Sequence, residues 1–181
     1  NGQHILIGAY RDTLALMRQV GVDPGEVLLR SPLALRRADG ARLQLQPGAA
    51  LPAFTLAVLR CQAWTWPDRL RLLRTCGQWA AGGFLCQPDR SVADLCRGLP
   101  SSVRDLLIDP LCVAALNTPA AEASAAVFLR VLKDGLFGGR GACDLLLPRS
   151  PLQDLLPGPA VRWLRDRGAE VYPGQRVMHL Q

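Results

Sequence analysis

Apolar residues change their period twice along this chain. Leu33/Leu35 and Leu43/Leu45 alternate about Asp39-Gly40, the pattern of a β-hairpin whose tight turn needs glycine. From Leu51 to Phe137 the apolar positions recur at helical spacing. Pro52–Ala63 forms one helix, and Asp68–Ala80 a second with Pro67 at its first position. Ser91-Val92-Ala93-Asp94 caps a short helix that ends near Gly98. A similar start at Ser102 leads through Leu106 to about Leu116, and Pro110 should kink or divide that helix. Thr118 then caps, Pro119 follows, and Ala120–Leu136 runs as a long apolar helix to the Gly138-Gly139-Arg140-Gly141 break.

The flanks are less regular. Gln3–Ile7 reads as a strand or loop closed by Gly8, followed by a helix over Tyr10–Val20. Gly21 suits the end of that helix, and Asp23-Pro24-Gly25 a turn. Asp144–Leu147 is a short strand, Pro151–Leu156 a helical turn, and Pro159–Arg167 a last helix closed by Gly168. Glu170–Tyr172 and Gln175–Leu180 read as two strands about Pro173-Gly174. The expected class is α+β, mostly α, with an early hairpin and short late strands.

Composition narrows the function classes. A length of 181 residues suggests one domain of ordinary size, and 49% apolar against 20% charged residues excludes a disordered chain. No run of about 18 apolar residues occurs, so no membrane span is expected. Net charge is +6, yet the basic residues, all Arg except Lys133, spread from Arg11 to Arg176. Aromatics are only 6%, so the interleaved basic and stacking residues of a nucleic-acid binder are missing. Six cysteines, Cys61, Cys76, Cys86, Cys96, Cys112 and Cys143, form no CxxC pair, and neither His4 nor His179 lies near two of them. No metal site is expected. The cysteines read as reduced, buried thiols of a cytosolic protein. The chain starts at Asn1 without a Met and stops inside an apparent strand; we expect an excised fragment of a longer protein.

Motifs for catalysis are sparse. No GxGxxG after a strand, GxxxxGK[ST], HExxH or GxSxG occurs, and the glycines of Gly135–Gly141 follow a helix and read as its cap and loop. Gly2-Gln3-His4 places an amide and an imidazole beside a glycine ahead of an apolar strand. There backbone can approach a ligand and His4 can move a proton; a surface histidine is the alternative. Leu111, Cys112, Asn117 and Thr118 lie in Pro110-Leu111-Cys112-Val113-Ala114-Ala115-Leu116-Asn117-Thr118-Pro119. Capping explains Thr118 better than it explains Asn117, whose amide needs partners. Trp64, Trp66, Trp79 and Trp163 belong to the core or wall an apolar cleft.

The segment Asn1-Gly2-Gln3-His4, continued by Gly8-Ala9-Tyr10, resembles the NGQH…GxY stretch of squalene-associated FAD-dependent desaturases. These are the hydroxysqualene dehydroxylases of bacterial hopanoid synthesis, within the flavin amine oxidase and phytoene desaturase superfamily. Pro110-Leu111-Cys112 with Leu116-Asn117-Thr118-Pro119 resembles the same family's PLC…LNTP stretch, and Leu145-Leu146-Leu147-Pro148, Arg167–Val171 and Arg176-Val177 its later segments. The resemblance implies a helical substrate domain inserted in a Rossmann-like FAD domain. It implies FAD as cofactor, bordered by Gly2, Gln3 and His4; loss of hydroxide from an allylic centre calls for a nearby acid, and His4 is the candidate catalytic acid. Leu111, Cys112, Asn117 and Thr118 would border the substrate, hydroxysqualene, which loses its hydroxyl reductively. It also fits a cytoplasmic enzyme resting on the inner membrane. The alternatives are a carotenoid desaturase or amine oxidase acting on another apolar substrate, and a non-catalytic helical module that binds a lipid or a protein.

Overall fold

The computed structural model describes residues 5–176, 178 and 179. The chain is α+β, about half helical, and packs as two compact units. The first takes in Tyr10–Arg30 and the described part of Leu146–Gln181; the second takes in Ser31–Leu145 with Ile7–Ala9.

In the first unit, helix α1 (Arg11–Gln19) turns Leu14 and Met17 inward, where they meet Val22, Leu28, Leu146 and Leu155. Asp23 opens a single helical turn, α2 (Pro24–Val27), where the sequence suggested only a bend. Its carboxylate accepts the Gly25 amide at 2.8 Å. Strands β1 (Leu6–Ile7), β5 (Leu145–Pro148) and β2 (Leu28–Ser31) form a small sheet in the order β1–β5–β2. Two short helices, α9 (Leu152–Leu155) and α10 (Pro157–Arg165), complete this unit. Gly168 follows at φ +80°.

The second unit opens with the expected hairpin. Strands β3 (Ala34–Arg36) and β4 (Arg42–Gln44) pair antiparallel with Leu35 opposite Leu43. Helices α3 (Ala50–Arg60) and α4 (Trp66–Ala81) then form an αα-hairpin. Thr65 and Asp68 cap α4 reciprocally, side chain to backbone in both directions. Ser91 caps the short α5 (Val92–Leu95). The core is continuous, with Phe54, Val58, Leu72, Val92, Val103, Leu106, Phe128 and Leu129 all essentially sealed from solvent. Phe137 meets Phe54 edge-on at 5.6 Å and Phe84 at 5.3 Å.

Two expectations are corrected, and one holds with a difference. The helix expected from Ser102 begins one residue earlier as α6 (Ser101–Val103) and is divided near Pro110. The divider is a π-helical segment, Arg104–Ile108, just before the proline, where the Asp109 amide bonds back to the Arg104 carbonyl. Helix α7 (Asp109–Leu116) then starts with Pro110 in its first turn, and the widened turn before it accommodates the ring and the missing N–H.

Thr118 does not cap the next helix. Helix α8 (Ala125–Val131) starts seven residues later, capped by Ser124, whose Oγ accepts the Val127 amide at 3.2 Å. Residues 119–124 are drawn into other bonds. The Val92 and Ala93 amides donate to the Ala123 and Ala120 carbonyls, and Ser91 bridges Ser124. A second π segment, Leu132–Leu136, ends this helix. Gly138 is then obligatory, because a Cβ there would lie 1.8 Å from the Asp134 carbonyl oxygen.

The late strands are absent at Glu170–Tyr172 and at Gln175-Arg176, which are irregular on either side of a formed Pro173-Gly174 turn. The remainder of that expectation, at Val177 and Leu180, lies outside the described residues.

Candidate functional site

Gly2, Gln3 and His4 lie outside the described residues. The chain immediately after them is tightly held. The Gly8 amide donates to the Asp144 carbonyl at 3.0 Å and the Ala9 amide to the Ala142 carbonyl at 2.8 Å. A Cβ on Gly8 would sit 1.9 Å from the Gly141 carbonyl oxygen, so only glycine fits this close approach.

The Leu111–Pro119 stretch is described throughout. Leu111 is partly buried against the core, and Cys112 is wholly buried within it. The Cys112 thiol donates to the Thr118 carbonyl at 3.4 Å, and the Thr118 hydroxyl to the Leu116 carbonyl at 2.9 Å. Asn117 closes α7 in the left-handed conformation, φ 49° and ψ 32°, with its amide N–H on the Val113 carbonyl. This is the geometry that asparagine tolerates better than other non-glycine residues, and it supplies the reason for Asn117 that capping of the following helix did not. Thr118 and Cys112 are therefore brought together. The Asn117 side chain is exposed, and no partner for its amide is found among the described residues.

Asp109, which the sequence did not single out, begins the same helix. Burial, with the nearby Asp105 charge, pushes its carboxyl pKa up, against the pull of Arg104. Burial and then Asp109 push the Cys112 thiol up as well. Arg104 Nε is buried and finds no hydrogen-bond partner among the described residues. The only sequence signal was the i, i+4 spacing of Asp105 and Asp109, ordinary on any helix.

A half-open crevice of about 330 Å³ lies elsewhere in the second unit, lined by Thr75, Gln78, Trp79, Leu85, Arg90 and Leu99 among others. It excludes Leu111, Cys112, Asn117 and Thr118. Its volume is at the small end of the ~300–1,000 Å³ usual for ligand pockets. Of the tryptophans weighed between core and cleft, Trp64 is buried, with its indole N–H on the Ser102 carbonyl at 3.0 Å. Trp79 packs partly buried against the core and also lines the crevice, whereas Trp66 is exposed.

The described residues do not form a flavin cradle. Their glycine-rich loop follows a helix instead of linking strand to helix, and the space a side chain would take at Gly138 is filled by the loop's own backbone. Among the described residues no three His, Cys, Asp or Glu side chains converge as a metal site. No helix among them is long and apolar enough to cross a membrane. All six cysteines are free thiols.

Fold and site together define an α+β chain with a filled helical core and an exposed asparagine turn at the end of a buried, proline-started helix. Comparison with known proteins makes this particular. The chain is similar to three curated relatives named hydroxysqualene dehydroxylase, the family that the NGQH and LNTP stretches resemble. The protein from Sinorhizobium fredii is 40% identical over 74 residues, 41% of this chain and 18% of the relative. That from Rhodopseudomonas palustris is 38% identical over 76 residues, 42% of this chain and 18% of the relative. That from Zymomonas mobilis is 37% identical over 65 residues, 36% and 16%. The matched stretch thus spans less than a fifth of each relative. No family model matches the chain.

Proposed function

We propose that this chain is an internal segment of an FAD-dependent oxidoreductase that removes the hydroxyl of hydroxysqualene to give squalene in hopanoid biosynthesis. The observation that carries the reading is the agreement of three relatives of one name at 37–40% identity. In this reading the chain is largely a substrate domain inserted in a Rossmann-like FAD domain, and other polypeptide supplies most of the flavin site.

The proposed reaction replaces a C–OH bond by C–H: reduced FAD, when bound, would supply the hydride to carbon, and the hydroxyl leaves with a proton as water. Departure of the hydroxyl builds positive charge on an allylic carbon, so a proton delivered to the leaving oxygen assists it. His4 is the proposed donor, with Gly2 and Gln3 beside it bordering the flavin. Leu111, Cys112, Asn117 and Thr118 border the substrate. Of these, Asn117 offers the free polar group, and the thiol and hydroxyl of its neighbours hold the turn that presents it. The enzyme works in the cytoplasm against the inner membrane, where its water-insoluble substrate resides.

A second reading, a non-catalytic helical module, draws support from the filled core and the small crevice. One experiment separates the two. The full-length protein is supplied with FAD, a reductant and hydroxysqualene, and products are analysed by gas chromatography with mass spectrometry. We expect bound flavin and squalene. A colourless protein that yields no squalene overturns the enzyme reading and leaves the module.

A further inference from the structure

The tip of the α3–α4 hairpin carries an exposed stripe that the proposed reaction does not use. Trp66 and Leu70 stand one helical turn apart on α4, 62% and 61% exposed. Arg74 continues their row and Arg71 flanks it, both exposed. Arg60, the exposed last residue of α3, sits at the same tip, since Arg69 on α4 holds the adjacent Leu59 carbonyl at 2.7 Å.

The indole is held in place. The Arg69 guanidinium lies 4.6 Å from the Trp66 ring centroid while its Nε donates to the Trp64 carbonyl at 3.1 Å. Among the described residues no carboxylate pairs with this charge. Asp68 is engaged with Thr65 and Ser102, and Arg60, Arg71 and Arg74 show no ion pair among the described residues.

We propose that this stripe is a docking surface for an anionic lipid bilayer, with Trp66 and Leu70 entering the interface and Arg60, Arg71 and Arg74 meeting lipid phosphates. Exposed apolar side chains rimmed by charge mark interaction sites. Tryptophan prefers the depth of the headgroups, and arginine is drawn to anionic lipid. Single-stranded nucleic acid would call for several stacking rings in a row, whereas this stripe has one. The inference rests on the membrane placement proposed above and gives it a surface; being argued from exposure and charge, it is tested separately from the reaction.

The test is flotation of the full-length protein with vesicles of equal parts phosphatidylglycerol and phosphatidylcholine, and with phosphatidylcholine alone. We expect binding to the anionic vesicles only, falling as salt rises. The double variant R71Q/R74Q should bind roughly tenfold or more weakly, since each arginine near the surface contributes on the order of one factor of several. W66A should weaken binding too, with far-ultraviolet circular dichroism unchanged in both variants. Equal binding to neutral vesicles, wild-type binding by R71Q/R74Q, or undiminished flotation when the stripe is blocked by a bulky label on W66C would overturn the proposal. Squalene formation measured in detergent should be unaffected by R71Q/R74Q, which separates failure of docking from failure of the reaction.

Discussion

The Asp89 carboxylate accepts the Ser124 hydroxyl at 2.6 Å and the Ala126 amide at 3.0 Å, tying the loop before α5 to the first turn of α8. These bonds, the Ser124 hydroxyl first, hold the Asp89 carboxyl below its ordinary pKa of about 3.9. A lowered native pKa stabilises the fold above the unfolded value and is lost as pH falls through the native one. Acid unfolding of wild type should therefore steepen below about pH 4. In D89N that component should vanish, while stability is already reduced at neutral pH. Circular dichroism against pH checks both.

Asn117 separates structure from binding. N117A forces a Cβ-bearing residue without a helpful side chain into the left-handed region and should cost ~1 kcal/mol. N117G should keep wild-type stability in urea unfolding. If the Asn117 amide meets substrate, N117G of the full-length enzyme should raise KM with the melting temperature unchanged.

Arg69 should be worth more than a surface arginine. It donates to Leu59 and Trp64 carbonyls near the end of α3 and covers the Trp66 ring. Removing it leaves those carbonyls without a charged donor, so R69A should lose about 2 kcal/mol. R69K recovers only part, because an ammonium cannot span both carbonyls as the planar guanidinium does. Denaturant midpoints of the three proteins give the order.

Thiol reactivity should divide the cysteines. Cys61, Cys76, Cys96 and Cys112 are buried, and Cys86 and Cys143 are half-buried. Burial pushes the Cys76 and Cys96 pKa values up to about 12. At pH 8 these two should react with an aromatic disulfide reagent only on unfolding, and Cys86 should react first in the native protein. Mass-spectrometric mapping of labelled sites against time tests the order.

Local chemistry made much of this fold readable. Asp39-Gly40 between alternating leucines, Thr65 before Pro67, and Ser91 three residues ahead of Asp94 each satisfy their neighbours without distant help. Thr118-Pro119 carried an equally good helix-start signal and misled, because the amides of Val92 and Ala93 claim the carbonyls of Ala123 and Ala120 from another part of the chain. The late strands failed for the opposite reason. Among the described residues nothing pairs with Glu170–Tyr172, and two short strands alone are marginal in water. At the candidate site the sequence pointed to Asn117 but could not show that a left-handed backbone is what demands it. The raised Asp109 pKa depends on burial that no spacing encodes.

The π segment at Arg104–Ile108 behaves as an α-helix with one residue too many. Deleting a single residue there would restore a regular ladder upstream of Pro110. The wide turn takes up that residue, so Cys112 would stay in the core. The same deletion inside α7 would swivel everything beyond it by ~100° about the helix axis, turning Asn117 toward a new quarter of space. The π segment thus acts as slack in the helix, so a lost residue there should do less harm than one lost from the regular turns that follow.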